Sequence, residues 1–253
     1  MNILVCIKPN PSGEEIGPFE SLALEAGLCL KEAWPEEGEK KASLDVITVG
    51  PPEWEGTLRR ALGMGADNGV HILVTGNKGH SGLVSASVTS QLLARAVSHP
   101  QLTPGYDLVL TGVMSQDLMA GQTGPMAAEF LQFALATAVV AVSPGEKGLT
   151  ASREWEGGIR ETLEIPLPAV VSIQAGEYVP RYPSLSNMLR AKSKSIQVLG
   201  PKELSMGGDD VVSNENFMST SIPERTRSGQ VVSGSTPDQV RAFNSFLKER
   251  ALV

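Results

Sequence analysis

Short apolar runs alternate with helical periodicity through the first two thirds of the chain. Ile3-Leu4-Val5-Cys6-Ile7 is almost wholly apolar and stops at Pro9, the pattern of a strand buried on both faces. From Phe19 to Lys31, and on to Ala33, Leu22, Ala23, Ala26 and Leu30 fall at helical spacing, and Pro35 ends the predicted helix. Leu44 to Val49 predicts a second strand closed by Gly50-Pro51-Pro52, Trp54 to Leu62 a helix capped by Gly63, and Val70 to Val74 a third strand. Ser85 to Val97 predicts a helix ended by His99-Pro100, Asp107 to Thr111 a fourth strand, and Thr123 to Leu135 another helix. Alternation of this kind predicts an α/β fold with a doubly wound, mostly parallel sheet.

The pattern then changes. Leu149 to Trp155 and Ile159 to Ile165 flank Gly157-Gly158 and predict a hairpin, and Pro168 to Ile173 predicts one more strand. From Ser205 to Ser235 the chain is rich in Ser, Gly, Asn and Thr and predicts an extended arm. A helix follows, with Thr236 as cap, Pro237 at its first position and Val240, Phe243, Phe246 and Leu247 on one stripe. So short a helix is marginal alone, so the stripe must dock, on this chain or on a partner subunit. The expected organisation is an α/β domain over 1–200 and an arm with a terminal helix over 201–253.

Composition narrows the function classes. The 253 residues carry a net charge of −7, which argues against general nucleic-acid binding. The longest apolar run, Phe133 to Val142, is about half of the ~20 residues a membrane helix needs. Lys8 and Pro9 interrupt any signal-peptide pattern, and Cys6 and Cys29 fit neither metal nor redox spacing. A reducing cytoplasm is the expected compartment.

Several chemistries find no motif. There is no Gly-x-x-x-x-Gly-Lys and no Gly-x-Ser-x-Gly, and His71, His80 and His99 lack metal-ligand spacing. Gly63-Met64-Gly65-Ala66-Asp67-Asn68-Gly69 looks like a dinucleotide fingerprint but follows a helix and precedes a strand, so it reads as a helix stop with a turn. The informative stretch runs from Asp107 to Leu131: a strand, a polar loop bounded by Gly112 and Gly121, then a helix beginning at Thr123. Ligands of open α/β sheets bind at that edge, and free N–H groups at the helix start suit a phosphate. Gln122 and Thr123 add side-chain donors, and Gly121 and Gly124 let the backbone come close. A plain capped helix after a loop has the same spacing. The run of special residues favours phosphate.

Several segments together resemble one family. They are Ile3-Leu4-Val5-Cys6-Ile7-Lys8, Gly17-Pro18-Phe19-Glu20, Arg60 to Asp67, Gly121-Gln122-Thr123-Gly124-Pro125, Arg153 to Gly158, Leu167 to Val171, and Pro180-Arg181-Tyr182-Pro183-Ser184-Leu185 running to Lys192. In this order the chain resembles the beta subunit of an electron transfer flavoprotein over residues 1 to about 200. The resemblance implies an adenine-nucleotide α-hydrolase-like fold, a heterodimer with a larger alpha subunit that holds the working FAD, and a structural AMP in this subunit. It implies electron carriage from flavin dehydrogenases, acyl-CoA dehydrogenases foremost, to a quinone-linked or other acceptor, without acid–base residues of its own. Nucleotide contacts carried across would fall on Cys6, on Gly17, Pro18, Phe19 and Glu20, and on Val49. They would continue along Gly112, Val113, Met114, Ser115, Gln116 and Asp117 to Gly121, Gln122, Thr123 and Gly124. For Cys6, simple packing in a strand is the competing reading.

The family also uses the segment around Leu185 to recognise dehydrogenases. Here that segment implies partner contacts by Leu185, Ser186, Met188, Arg190, Lys192 and Lys194, within a basic patch that adds Arg181 and Lys202 and has no acidic residue between Glu177 and Glu203. A solvated helix start is the bland alternative. The chain departs from the family in the short connection from Pro9 to Ile16, in Gly17 where Asn is usual, and in Leu118-Met119-Ala120 within the loop. Other readings are an FAD-binding subunit of an electron-bifurcating flavoprotein using NADH, a stand-alone ATP- or AMP-binding enzyme or stress-type protein, and an interaction module with an empty pocket. Ser205-Met206-Gly207-Gly208-Asp209 only hints at an adenylyl-transfer motif.

Overall fold

The computed structural model describes residues 1–13, 15–35, 41–74, 84–102, 105–207, 229 and 231–251. His80, Gly208, Asp209 and most of the expected arm lie outside these residues. The chain divides into a unit from Met1 to Asn216 and a unit from Phe217 to Val253.

The first unit is built on a nine-stranded sheet. Its strands are β1 (Asn2–Cys6), β2 (Ser43–Gly50), β3 (Asn68–Leu73), β4 (Leu108–Gly112), β5 (Ala134–Gly145), β6 (Gly148–Glu154), β7 (Arg160–Pro166), β8 (Ala169–Ile173) and β9 (Ile196–Leu199), in the order β7-β6-β5-β8-β4-β1-β2-β3-β9. Pairing is parallel from β9 through to β5, while β6 and β7 add an antiparallel hairpin at one edge. The sheet is therefore mixed, with the parallel part dominant.

Five helices belong to this unit: α1 (Pro18–Ala33), α2 (Glu55–Met64), α3 (Ala86–Val97), α4 (Thr123–Leu131) and α5 (Leu185–Ser193). Alternate residues of β1 separate the two cores. Ile3 and Val5 pack with Leu24, Leu28, Leu58 and Leu62 of α1 and α2, whereas Leu4 packs with Leu92, Leu93 and Ala128 of α3 and α4. Helices thus cover both faces, as a sheet of apolar, two-sided strands requires. Leu204 and Met206, beyond β9, are still buried in the second core.

Several element boundaries need correction, and two strands have no counterpart in the sequence reading. The helix from Thr123 ends at Leu131, not Leu135, because Gln132 turns left-handed (φ 55°) and its side chain caps the Glu129 carbonyl at 2.7 Å. The apolar run beyond it becomes β5, a strand between β8 and β6, with a bulge where Ala138 takes φ 56° and donates its N–H to Ser172 Oγ at 3.1 Å. Trp54 precedes α2 in a single 3₁₀ turn, and Gly65 (φ 132°), not Gly63, caps that helix. Gly63 lies inside it. Strand β9 answers to no run read from the sequence, since its exposed and half-buried positions blur the pattern.

In the second unit, α6 spans Thr236–Glu249 and is capped by Ser235, with Asp238 completing a capping box. The cap is one residue earlier than the sequence suggests, which puts Pro237 second. Val240, Phe243 and Phe246 are exposed.

Candidate functional site

After β1 the chain crosses to β2 on one side, while β4 pairs with β1 on the other. The loops leaving β1 and β4 therefore diverge at the carboxyl edge, where an open α/β sheet forms its ligand crevice. A cleft of about 830 Å³, counted to its open mouth, lies there. Its apolar lining comes from Ile47, Val49, Trp54, Val84 and Leu93, and its polar lining from Thr111, Ser115, Gln122 and Thr123. The Trp54 ring lies across Gly50, where a β-carbon would stand 2.2 Å from the ring, so glycine at the end of β2 lets the indole reach the cleft.

The start of α4 faces this cleft. Gln122 is its N-cap and makes no side-chain capping bond, which leaves the first-turn N–H groups for a ligand. Gly124 packs on β4, where a β-carbon would approach Thr111 Oγ1 to 2.7 Å. Ser90 Oγ of α3 lies 2.9 Å from the Thr123 carbonyl and fixes the helix start from behind. Gly121 turns at φ 64°, a conformation that suits glycine.

Charge is concentrated at one wall. Lys8 Nζ pairs with Asp117 Oδ2 at 2.5 Å and lies 5.7 Å from the Trp54 ring centre, so it ties the end of β1 to the β4–α4 loop. Burial pushes the Asp117 carboxyl up, but hydrogen bonds from Lys8 and Ser115 outweigh it and hold it below the ordinary range. Burial raises the Glu20 carboxyl to about 7, against its own backbone N–H and Lys8. The Cys6 thiol is pushed up to about 12 by burial, so it lines the cleft as a neutral group. Glu20 Oε2 and Thr111 Oγ1 are buried without hydrogen-bond partners. Such orphaned atoms are costly, and both lie close to glycines, Gly17 and Gly124, that are outside the cleft lining.

The structure gathers most of the nucleotide-contact candidates. Cys6, Glu20, Val49, Gly112, Val113, Met114, Ser115, Gly121, Gln122 and Thr123 line the cleft. Gly17, Pro18, Phe19, Gln116 and Gly124 lie outside the lining, with Gly17 against the Glu20 carboxyl and Phe19 against Gly112, while Asp117 acts through Lys8. Sequence reasoning passed over Lys8, Trp54 and Thr111. Lys8 and Thr111 sit at or just beyond the ends of β1 and β4, and that position is the signal that finds them. The short connection from Pro9 to Ile16 closes on itself through an antiparallel bridge between those two residues, and Gly17 N–H bonds Lys8 O at 2.8 Å.

The segment expected to meet a partner is more tightly tied down than its charges suggest. Ser184 caps α5 by accepting the Asn187 N–H at 3.2 Å, with Ser186 Oγ 3.0 Å away, and Leu185 is 79% exposed. Met188 packs into α2, where a β-carbon on Gly63 would lie 2.5 Å from its sulfur. Lys194 donates to the Ala66 and Asp67 carbonyls at 3.0 Å, Arg190 bonds Asn187, and Arg59 caps the end of α5 through the Ala191, Lys192 and Lys194 carbonyls. Arg181 is neutralised from α1 by Glu25 and Glu32. The gap in acidic residues along the sequence is thus filled in space, and the basic patch is smaller than it reads.

Among the described residues no group of His, Cys, Asp and Glu has the placement to hold a metal ion, and no helix is long and apolar enough to cross a membrane. Comparison with known proteins adds an independent line. The pattern of the electron transfer flavoprotein domain matches residues 10–204. The chain is 33% identical over 240 residues to the mitochondrial electron transfer flavoprotein subunit beta of Oryza sativa subsp. indica, covering 91% of this chain and 88% of that one. It is 32% identical over 236 residues to the electron transfer flavoprotein subunit beta of Homo sapiens (90% and 86%) and 28% identical over 238 residues to that of Bacillus subtilis (94% and 87%).

Proposed function

The chain belongs to the electron transfer flavoprotein beta-subunit family, and from that premise we propose that it holds a structural AMP in the cleft while its alpha-subunit partner holds the FAD that carries electrons. The observation that carries the AMP reading is the uncapped start of α4 opening onto a cleft that apolar and aromatic side chains also line. Free N–H groups at a helix start bind an anion, and an apolar slot beside Trp54 suits a purine. Gln122 and Thr123 would hold the phosphate, and Trp54, Val49 and Leu93 would flank the base. Bound flavin supplies the redox chemistry. The residues of this chain bind, orient and exclude water.

In this reading the heterodimer accepts electrons from flavin dehydrogenases, acyl-CoA dehydrogenases first among them, and passes them to a quinone-linked or other acceptor. The exposed Leu185 on a firmly anchored α5 supports a docking role for that segment. Cys6 and Cys29 are both free thiols, which supports a reducing compartment such as the cytoplasm.

The test is a nucleotide count on the complex purified with its alpha subunit. Denaturation and chromatography are expected to release FAD and AMP in equal amounts. Two FAD and no AMP would instead assign a second flavin to this cleft. Release of ATP from a chain that co-purifies with no partner would overturn the carrier reading.

A further inference from the structure

His71 is a buried imidazole that the cleft does not touch. It is 2% exposed and sits in β3 between Val70 and Ile72, whose side chains enter the second core. Its own side chain therefore points to the opposite face of the sheet, the α2 side, and it is not among the residues that line the cleft. Nε2 lies 3.3 Å from the Gly50 carbonyl oxygen, and the Pro51 carbonyl also accepts from the ring. A carbonyl only accepts, so Nε2 carries the proton. Burial pulls the His71 pKa below its ordinary 6.5, against these carbonyls and Glu55 at the start of α2, so at neutral pH the ring has a single N–H to give.

Those two carbonyls belong to the turn that delivers Trp54. Gly50 ends β2, Pro51 precedes the 3₁₀ turn Pro52–Trp54, and the Trp54 N–H closes that turn on the Pro51 carbonyl at 3.1 Å. None of the three turn residues is buried, so hydrogen bonds must do most to hold the turn. Two tie it to β3: the Val74 N–H on the Gly50 carbonyl at 3.1 Å, and His71. The imidazole is committed to the turn even though Thr48, opposite it in the β2–β3 register, keeps a buried hydroxyl without a partner. From this turn the Trp54 ring lies across Gly50 and lines the cleft.

We propose that His71 is the positioning residue of the cleft's aromatic wall, holding the Gly50–Pro51 turn from the far face of the sheet and so setting the Trp54 ring where an adenine base lies against it. This role rests on the nucleotide reading above. A ring fixed before the ligand arrives loses little freedom on binding. The benefit therefore falls on the base and not on the phosphate at the start of α4. Without His71 the turn loosens, and the base contact weakens while the phosphate contact stays.

The experiment is a titration of the FAD-containing heterodimer, stripped of the nucleotide of this cleft, with AMP and with ribose 5-phosphate, which lacks the base. His71→Leu is expected to weaken AMP by about tenfold, the scale of one base–aromatic contact, and to leave ribose 5-phosphate unchanged. Trp54→Leu is expected to do the same, and the double variant no more than Trp54→Leu alone. His71→Gln, whose amide can donate in place of the imidazole, is expected to recover most of the loss. Equal weakening of both ligands in His71→Leu, or losses that add fully in the double variant, would overturn the role of His71. So would a wild type that binds the two ligands equally. Should His71→Leu fold poorly, ¹⁵N spectra of histidine-labelled wild-type complex decide: a hydrogen-bonded Nε2–H is expected, and an unprotonated Nε2 would overturn the role. A wild type that takes up FAD and not AMP would overturn the AMP reading itself. The same variants compared for FAD, which carries the same adenine, would then still decide the role of His71.

Discussion

Arg181 grips Glu25 with its backbone N–H at 2.9 Å and its guanidinium at 2.8 to 3.1 Å, joining the segment before α5 to the middle of α1. Glu25 is buried, so losing its partner would strand a carboxylate. Burial raises the Glu25 carboxyl, but the Arg181 hydrogen bonds outweigh it and hold the group below its ordinary 4.5. That contribution to stability is present above pH 4.5 and is lost as pH falls through the lower folded value. Arg181→Ala is expected to cost about 2 kcal/mol at neutral pH, discounted for the third of Arg181 left in water. Denaturant melts at pH 7 and pH 4 check this, and the gap between variant and wild type should narrow at the lower pH.

This contact also shows what the sequence could and could not convey. The parallel strands β1, β2, β4 and β8 are legible because burial on both faces leaves short, mostly apolar runs, interrupted only by single buried polar residues such as Asp45 and Ser172. The cleft was legible too, because a loop between a strand and a helix start at Thr123 follows from local pattern alone. The Arg181–Glu25 pair spans 156 residues, and nothing local signals it. Strand β5 was hidden because Ala134 to Val142 suits a helix as well as a strand, and only pairing with β8 and β6 decides. Trp54 entered the cleft through a glycine at position 50, a tertiary fit with no periodic signature.

Burial of Glu20 predicts an unusual pH dependence of the nucleotide-free protein. The folded carboxyl titrates at about 7 against an ordinary 4.5, so between these values the folded state holds a proton that the unfolded state has lost. Stability from this group is full below pH 4.5 and falls as pH rises through about 7, by on the order of 3 kcal/mol. Burial of His71 acts in the opposite sense, since its lowered pKa costs stability as pH falls. The difference between wild type and Glu20→Gln isolates the carboxyl. Melting temperatures from pH 5 to 8 are expected to show the variant gaining on the wild type as pH rises.

Gly112 and Gly56 predict opposite outcomes for the same change. A β-carbon on Gly112 would lie 2.8 Å from Phe19 Cβ, 3.0 Å from the Phe19 carbonyl carbon and 3.1 Å from Glu20 N. None of these atoms can swing aside, so Gly112→Ala must push the start of α1 off β4. A loss of about 1–3 kcal/mol is expected, as for other overpacked sites, together with weaker nucleotide retention. Gly56, in the first turn of α2, has nothing within 4 Å. There alanine is expected to stabilise by about 0.5–1 kcal/mol and leave nucleotide content unchanged. Denaturant midpoints and released AMP, measured on the same preparations, check both.

Leu185 and Met188 share one helix but face different tasks. Leu185 is 79% exposed, while Met188 fills the space over Gly63 and packs α5 on α2. Because α5 is anchored by Ser184, Arg59, Lys194 and Met188, Leu185→Ala is expected to leave stability within about 0.5 kcal/mol of wild type. Should the segment dock a dehydrogenase, the same variant would raise KM for that partner with FAD and AMP content unchanged. Met188→Ala empties a packed position and is expected to lower the melting temperature and raise KM together. Steady-state assays over a range of partner concentrations, run beside melts, separate the two. A Leu185 variant with an unchanged KM would move the docking surface away from the start of α5.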